Sequence, residues 1–513
     1  MVPGSSPGAG AKTKLSRGRV QRYKNHFIIP IIFLCSSLFG ISWAISSPPG
    51  SASDEIYHLG SIWCAWGENE ICKFDGEVMN NGRRNITLSS DFSKAGCFRS
   101  DLDRVNKSAV CYLQENSNQD RFSWEMNSGN YPGLTYTVLR IFATSNVETS
   151  VIVMRFFNYS IFTIICILAF FSLSSKIYFS ALLAFFITLI PVSIFFITSI
   201  NPSSWTIVGV GFYWAFLWNF LEEGKILERK KILLGLILTT ILSIGSRSDG
   251  SIYILIVNLL FLITYIFEKE KDNEIKKKSL LIIFISLCGL IQLISNKQFE
   301  AESTKDEGDK GADLFIQNLT ELPKYYLGIF GGRGPEVWPF GLGWFDTEIP
   351  ILVSVLGTLN IVLILFSIIN KMSVRQRMII SILPLFMILN PLLILQLRQS
   401  NATYFLQPRY LIPLLIVLLG VLTIEIKWSQ GRNVLLYFII ISLSVGNSIS
   451  LFTNLKRYTV GLDSEQSFFS KFEWWWNIPI TPGITWVVGT LALPILMFMV
   501  LRPDARSIIQ AKT

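Results

Sequence analysis

Two adjacent carboxylates, Asp54 and Glu55, are followed by an imidazole at His58, in the stretch Ser46-Ser47-Pro48-Pro49-Gly50-Ser51-Ala52-Ser53-Asp54-Glu55-Ile56-Tyr57-His58. Pro48, Pro49 and Gly50 cannot continue a preceding helix. Ser51 or Ser53 can cap a new one, with the acids in its first turn where the helix dipole favours them. On that helix Asp54 and His58 are spaced i,i+4 and Glu55 and His58 i,i+3, so either acid can share a face with the imidazole. A carboxylate paired with an imidazole is the equipment of a general base, provided it reaches the proton it removes. Taken alone, the stretch reads first as a capped helix start with solvated charges.

Other polar residues could join this chemistry. Arg155 lies about two turns inside an apolar run, where a charge is costly and normally faces a cavity or a partner. Arg247 and Asp249 sit in one tight turn and read first as partners of each other. Arg398 and Arg409 bracket a loop, and an Arg at the mouth of a span is most often a snorkelling interface residue. The planar fork of Arg also suits bidentate contacts to phosphate. Cys64, Cys72, Cys97 and Cys111 fall in one polar stretch and suggest two disulfides on an oxidising side, with the pairing open. A zinc site is the weaker alternative, because no CxxC pair is present. The chain carries no GxxxxGK[ST] phosphate loop, no HExxH helix and no GxSxG elbow, so ATP-driven transport and nucleophilic hydrolysis find no support.

The elements that must position these residues are membrane spans. Of 513 residues 50% are hydrophobic and only 16% charged, against about 25% charged in soluble domains. Apolar runs of roughly bilayer length predict twelve spans, at 26–46, 148–173, 178–199, 202–221, 231–248, 250–267, 279–296, 349–370, 378–396, 409–427, 433–453 and 483–501. The net charge of +9 is no argument for nucleic acid, since the basic residues sit in short loops on one side. That bias places both termini in the cytoplasm, with a disordered basic tail over 1–25, a transmembrane domain over 26–501 and a short tail over 502–513. The acids, the imidazole and the four cysteines then share an extracytoplasmic loop, 47–147, long enough for a small subdomain. Its end, up to Ala143, suits an interfacial position. A second long outer loop spans 297–348, opening on a charged stretch from Glu300 to Asp313. In the last outer segment, 454–482, Trp474-Trp475-Trp476 reads as an interfacial anchor, with a sugar-stacking platform as the alternative.

These residues resemble a known pattern. Pro48-Pro49 followed by Asp54-Glu55-Ile56-Tyr57-His58 is similar to the Pro-Pro-Asp-Glu-x-x-His signature of a bacterial family of predicted polytopic membrane proteins of unknown function, related to the GT-C glycosyltransferases. Tyr131-Pro132-Gly133-Leu134-Thr135-Tyr136 resembles its Tyr-Pro-Pro-x-x-Tyr segment, and Asn201-Pro202 its Asn-Pro-Asp turn. Gly343-Trp344-Phe345-Asp346-Thr347-Glu348-Ile349-Pro350 resembles Gly-x-x-Asp-x-x-x-Pro, and Gln407-Pro408-Arg409-Tyr410-Leu411-Ile412-Pro413 resembles Gln-Gly-Arg-Tyr-x-x-Pro. Three departures stand out: Gly50 to Ser53 separates the prolines from the acids, Ser203 stands where the family often has Asp, and Pro408 replaces Gly.

The resemblance implies an all-α, GT-C-like bundle that transfers a sugar from a polyprenyl-phosphate donor to a glycan or glycolipid acceptor at the outer face of a bacterial inner membrane. It implies Asp54 as the base, Glu55 as its partner or substitute, and His58 as the group that orients an acid or touches phosphate. Arg155, Arg247 and Arg409 would contact phosphate, and Tyr136 and Asp346 would help to bind substrate. A divalent metal, Mg or Mn, is a candidate cofactor. The rival readings are a flippase for lipid-linked glycans and a non-catalytic envelope-assembly protein.

Overall fold

The computed structural model describes residues 29–99, 107–114, 121–222, 226–268, 275–299, 311–331, 341–368, 372–402, 406–426 and 430–501. The expected tails and most of the charged stretch from Glu300 to Asp313 lie outside them. The chain is mostly helical, 70%. Helix α1 (Ile29–Ala44) is followed by a small cap, and the remaining long helices form a bundle. These are α4 (Val147–Ser172), α5 (Ser175–Ile197), α6 (Ser203–Glu222), α7 (Ile226–Ile244), α8 (Ser248–Glu268), α9 (Ile275–Ser295), α11 (Ile351–Ile368), α12 (Val374–Arg398), α13 (Ile412–Thr423), α14 (Gln430–Thr459) and α15 (Pro482–Val500); α2 (Glu55–Trp63), α3 (Leu134–Leu139) and α10 (Ala312–Gly328) are shorter elements on the cap side. Each apolar run expected from sequence overlaps one of the helices. Among the described residues seven are long and apolar enough to cross a bilayer, and α1, α11 and α13 are shorter apolar helices. The protein is an integral membrane protein.

Position in the bundle follows from how evenly each helix is apolar. Helix α5 is buried along its whole apolar window, whereas only 22% of that of α9 is. A helix apolar all round can sit in the centre, while one with a single packed face must turn the other to lipid. Accordingly α5, α6 and α13 pack together centrally. Close approach needs small residues where two helices meet. At Gly209 on α6, a Cβ would lie 2.9 Å from the Thr239 carbonyl oxygen and the Ser243 nitrogen of α7. In the bundle, Trp43 Nε1 donates to Asn447 Oδ1 at 3.0 Å, and Asn447 Nδ2 donates to the Gly489 carbonyl at 3.0 Å, the pairing that polar groups away from water require.

The cap corrects the all-α expectation. Strands β1 (Cys72–Asp75), β2 (Arg83–Ser89) and β3 (Arg121–Asn127) form an antiparallel sheet, with Ile86 opposite Phe74 and Trp124. Helix α2 (Glu55–Trp63) packs on it, and Gly60 lets Ile86 and Leu88 approach. The cysteines pair as Cys64–Cys72 and Cys97–Cys111. Helix α3 (Leu134–Leu139) is the short element expected before the second span, and α10 (Ala312–Gly328) lies beside α12. A short ladder, β4 (Gly341–Leu342) with β5 (Thr347–Glu348), closes a turn against the cap. Two of the three tryptophans are turned inward and form no open platform, while Trp474 is half-buried. Trp475 and Trp476 are buried in the cap's hydrophobic cluster, and Trp476 Nε1 donates to the Ile45 carbonyl at 2.7 Å.

The Gly209 contact meets backbone, which cannot rotate away. Gly209→Val should therefore destabilise the bundle by about 1–3 kcal/mol, read as a lower melting temperature in detergent. Gly133→Ala, with nothing within 4 Å of its Cβ, should be near neutral.

Candidate active site

The two adjacent carboxylates are put to different uses. Glu55 is fully buried and paired with Arg155, itself 1% exposed. Arg155 Nε and Nη2 donate to Glu55 Oε1 at 3.2 and 3.1 Å, and Nη2 to Oε2 at 2.8 Å. Arg155 Nη1 donates to the carbonyls of Ala44 (3.0 Å) and Ser47 (2.7 Å), while Nη2 reaches the Pro48 carbonyl (2.9 Å) and Ser51 Oγ (3.2 Å). Glu55 also accepts from the backbone amides of Ala52 at 3.2 Å and Ile200 at 3.0 Å. All three guanidinium nitrogens are engaged, and both carboxylate oxygens accept bonds. Arg155 therefore staples the Pro-Pro-Gly-Ser break to α4, and Glu55 holds the staple. The pair leaves Arg155 nothing to offer a phosphate and Glu55 nothing to offer a substrate hydroxyl, so the roles expected from sequence do not fit either residue.

Asp54 points elsewhere. It is the N-cap of α2 but makes no capping bond, and it sits in the left-handed region at φ 64°, a conformation that costs a non-glycine residue roughly 1–2 kcal/mol. Its neighbours hold it there. Ser53 N donates to the Gly343 carbonyl at 3.2 Å, Asn201 Nδ2 donates to the Ser53 carbonyl at 3.0 Å, and Trp344 Nε1 donates to the Gly50 carbonyl at 2.9 Å. The Asp54 side chain is 38% exposed and receives Arg409 Nη2 on Oδ2 at 2.7 Å. Desolvation pushes its pKa up, but the Arg409 guanidinium, with Arg247 further off, outweighs this and holds the carboxyl below its ordinary value.

Arginines and tyrosines surround that carboxylate. Arg409 is buried over Phe196 (4.6 Å) and Tyr410 (5.1 Å). Arg247 lies between Tyr131 (5.3 Å) and Tyr410 (4.7 Å), and its Nε donates to Asp249 at 2.9 Å. Arg409 Nε and Nη1, Arg247 Nη1 and Gln407 Oε1 have no partner among the described residues. Arg247, Tyr131, Tyr410 and Gln407 line a cavity of about 220 Å³. Asn81 and Arg83 of the cap roof it, while Met387, Pro391, Ile394 and Leu414 of the bundle line its apolar end. Asp54 and Arg409 stand directly behind the Tyr410 wall and are not themselves part of the lining.

His58 is buried, with Nδ1 3.0 Å from the Tyr136 hydroxyl, and the two rings stack at 5.8 Å. Burial pushes its pKa down to about 3, with Arg409 and Arg247 adding to the effect against Asp54, so the ring is neutral and orients through Tyr136. Tyr136 thus supports the histidine and is absent from the cavity lining. Asp346 is also elsewhere. It pairs with buried Arg457 at 3.2 Å and accepts from Trp344 N at 3.2 Å; Arg457 in turn holds the carbonyls of Phe98 and Lys107. Asp346 is a brace for the turn that supports Ser53. Sequence reading did not single out Tyr131, Tyr410, Asn201, Arg457 or Arg99 as site residues; the first three lay inside quoted segments, and nothing flagged the last two.

The residues around Asp54 do not suit a divalent metal. Among the described residues no three His, Cys, Asp or Glu side chains gather as ligands. The groups facing Asp54 are guanidinium donors, which repel a cation and welcome an anion.

Arg155→Met would strand the Glu55 carboxylate in a buried site and should cost about 3–5 kcal/mol; Glu55→Leu together with Arg155→Met should recover much of that in the same melting assay. For His58, the unfolded chain takes up a proton below its ordinary value of 6.5 that the folded chain refuses until about 3. Stability is therefore complete above 6.5 and lost as pH falls, by about 1.4 kcal/mol per pH unit. His58→Gln should flatten the fall in melting temperature between pH 7 and 5, and equal slopes would refute the assignment.

No curated protein and no solved structure matches the chain. Residues 37–418 match the model of a family described as predicted membrane protein (DUF2142), a family of unknown function, and the chain belongs to it.

Proposed function

We propose that this protein is a membrane glycosyltransferase of GT-C type, with twelve spans, both termini cytoplasmic and the cap on the extracytoplasmic face of a bacterial inner membrane. The sidedness rests on charge: Lys176, Lys230, Lys231, Lys276, Lys277, Lys278, Arg375 and Arg377 lie at the end of the bundle away from the cap, as cytoplasmic loops do. The donor is a sugar on a polyprenyl phosphate, and the acceptor is a hydroxyl of a cell-envelope glycan or glycolipid.

The observation that carries this reading is the Asp54–Arg409 pair beside a cavity with cationic, unpartnered donors at one end and apolar bundle side chains at the other. A lipid phosphate has the same two-part chemistry. In the reaction the acceptor hydroxyl gives its proton to Asp54, and its oxygen forms a bond to the anomeric carbon. The bond from that carbon to the phosphate oxygen breaks, and its electron pair leaves with the phosphate. Arg247 Nη1, in the cavity wall, has an unused donor for the charge that develops there, and the Arg409 guanidinium behind the wall adds its positive field. A flippase would instead need charged groups facing a path through the spans. Arg155, the charge that sequence placed inside a span, is consumed by the Glu55 staple.

The test is transfer of labelled sugar from a polyprenyl-phosphate donor to envelope lipid extract by the purified protein in vesicles. Asp54→Asn should lower the rate by at least about 100-fold with an unchanged melting temperature, and Arg409→Gln should also be strongly impaired. A folded Asp54→Asn variant with wild-type transfer sinks the base assignment, and movement of the carrier across the bilayer with no new glycosidic bond sinks the enzyme. Because the Arg409 guanidinium holds the Asp54 carboxyl below its ordinary value, the acid limb of the rate profile should fall at a lower pH than an ordinary aspartate base would give, and Arg409→Gln should move it up.

A further inference from the structure

The cap holds one arginine, Arg99, between two tryptophans. Residues 96–99 are fixed one after another. Gly96 sits against Gly50 so closely that a Cβ on Gly50 would lie 2.6 Å from the Gly96 nitrogen. Cys97 is tied to Cys111. The Phe98 carbonyl accepts from Arg457 Nη2 at 3.1 Å, and the Phe98 ring packs edge-on against Tyr458 at 5.3 Å. Arg99 follows, with its amide donating to the Gly96 carbonyl at 3.0 Å.

The Arg99 guanidinium lies between two indoles, 4.8 Å from Trp124 and 5.0 Å from Trp344, and Phe122 stacks on Trp124 at 5.5 Å. The stack joins β3 of the cap to the turn that braces Ser53. The indoles fix the plane of the fork but satisfy none of its N–H groups. Arg99 is half-buried and makes no hydrogen bond or ion pair through its side chain among the described residues. It is near enough to Asp54 for the two charges to interact. Stacking has already removed the rotamer freedom that binding would otherwise have to remove, and the planar fork matches two oxygens of one oxyanion.

We propose that Arg99, held between Trp124 and Trp344, is a binding site for an oxyanion, a carboxylate or phosphate, carried by the glycan acceptor. The assignment of an acceptor to this side of Asp54 rests on the glycosyltransferase reading. The site is distinct from the cavity that Arg247 lines, which on that reading takes the donor. An anionic group on Arg99 anchors the acceptor so that a neighbouring hydroxyl reaches Asp54, and neutral glycans lose this contact.

Binding can be measured without any donor. The full chain in lipid nanodiscs is titrated calorimetrically with hexagalacturonate, with an oligomer of glycerol phosphate and with neutral maltohexaose, at low and high salt. At least one anionic probe should bind, maltohexaose should bind at least tenfold more weakly, and Arg99→Ala should weaken the anionic probe at least tenfold with an unchanged melting temperature. Arg99→Lys keeps the charge but loses the fork, and should recover only part. Trp124→Ala should weaken binding several-fold although it removes no charge. Lys73→Gln, at an exposed cation elsewhere on the cap, should leave binding unchanged. Wild-type binding by Arg99→Ala overturns the proposal, as does an equal loss of binding in Lys73→Gln or no anionic probe binding at millimolar concentration. Failure here leaves the Asp54→Asn transfer experiment standing, and failure of that experiment leaves this binding result standing.

Discussion

A buried ion pair sets the geometry of everything near the candidate site. Arg155 and Glu55 are 100 residues apart in the chain and are both withdrawn from solvent. Such a pair contributes little net stability over a well-packed apolar substitute, but removing one partner is severe. Its effect here is on shape. Three carbonyls and one hydroxyl of the break after α1 converge on one guanidinium. These bonds fix the backbone between Ala44 and Glu55. Asp54 there adopts a left-handed conformation, and its carboxylate meets Arg409 while that of Glu55 meets Arg155. Two neighbouring acids are thereby separated into a buried structural anion and a partly open one.

The open side is kept polar and anion-seeking by the groups around it. His58 is neutral, so it adds no positive charge and spends one nitrogen on Tyr136. Arg247 is already paired with Asp249 and sandwiched by tyrosine rings, yet keeps an unused donor. Arg409 spends Nη2 on Asp54 and Tyr410 and keeps Nε and Nη1. Unused buried donors are costly in a finished core. Beside a cavity roofed by the cap and floored by the bundle, they are the groups that an entering oxyanion would satisfy. Proximity of Asp54 to these donors is a consequence of the fold closing three distant segments, α2, the turn at Arg247 and the turn at Arg409, around one point.

Much of this was legible in the sequence, for identifiable reasons. The long helices follow from apolar runs, whose length is set by the bilayer and needs no tertiary information. The pairing of Arg247 with Asp249 and the isolation of Asp54, His58 and Arg409 on one side were also readable. The cap sheet was not, because its three strands are short and separated by long connections. Glu55 and Asp54 could not be told apart, since both spacings to His58 suit a helix and the sequence carries no sign of the left-handed residue between Ser53 and Glu55. Arg155 and Asp346 were assigned to substrate because a buried partner lying 100 or more positions away, Glu55 for one and Arg457 for the other, leaves no local mark. Arg99 carried no signal at all: its meaning comes from two tryptophans brought to it by the fold.

Two of the departures from the expected pattern have a structural setting. Gly50 to Ser53 lies against the Arg155 staple. Ser51 accepts from Arg155, Ser47 and Ser51 share a hydrogen bond at 2.7 Å, and Gly50 adopts a φ of 82° against Gly96. Ser51 is thereby part of the staple, and Asp54, three residues on, meets Arg409 Nη2 at 2.7 Å. Pro408 stands first in a short 3-10 turn, Pro408–Tyr410, where a missing N–H is not needed and a fixed φ is an advantage. Its carbonyl accepts from Leu411 N at 3.1 Å. A stiffer turn at this point holds the Arg409 backbone in place, which a site relying on one 2.7 Å contact to Asp54 can use better than the freedom of a glycine.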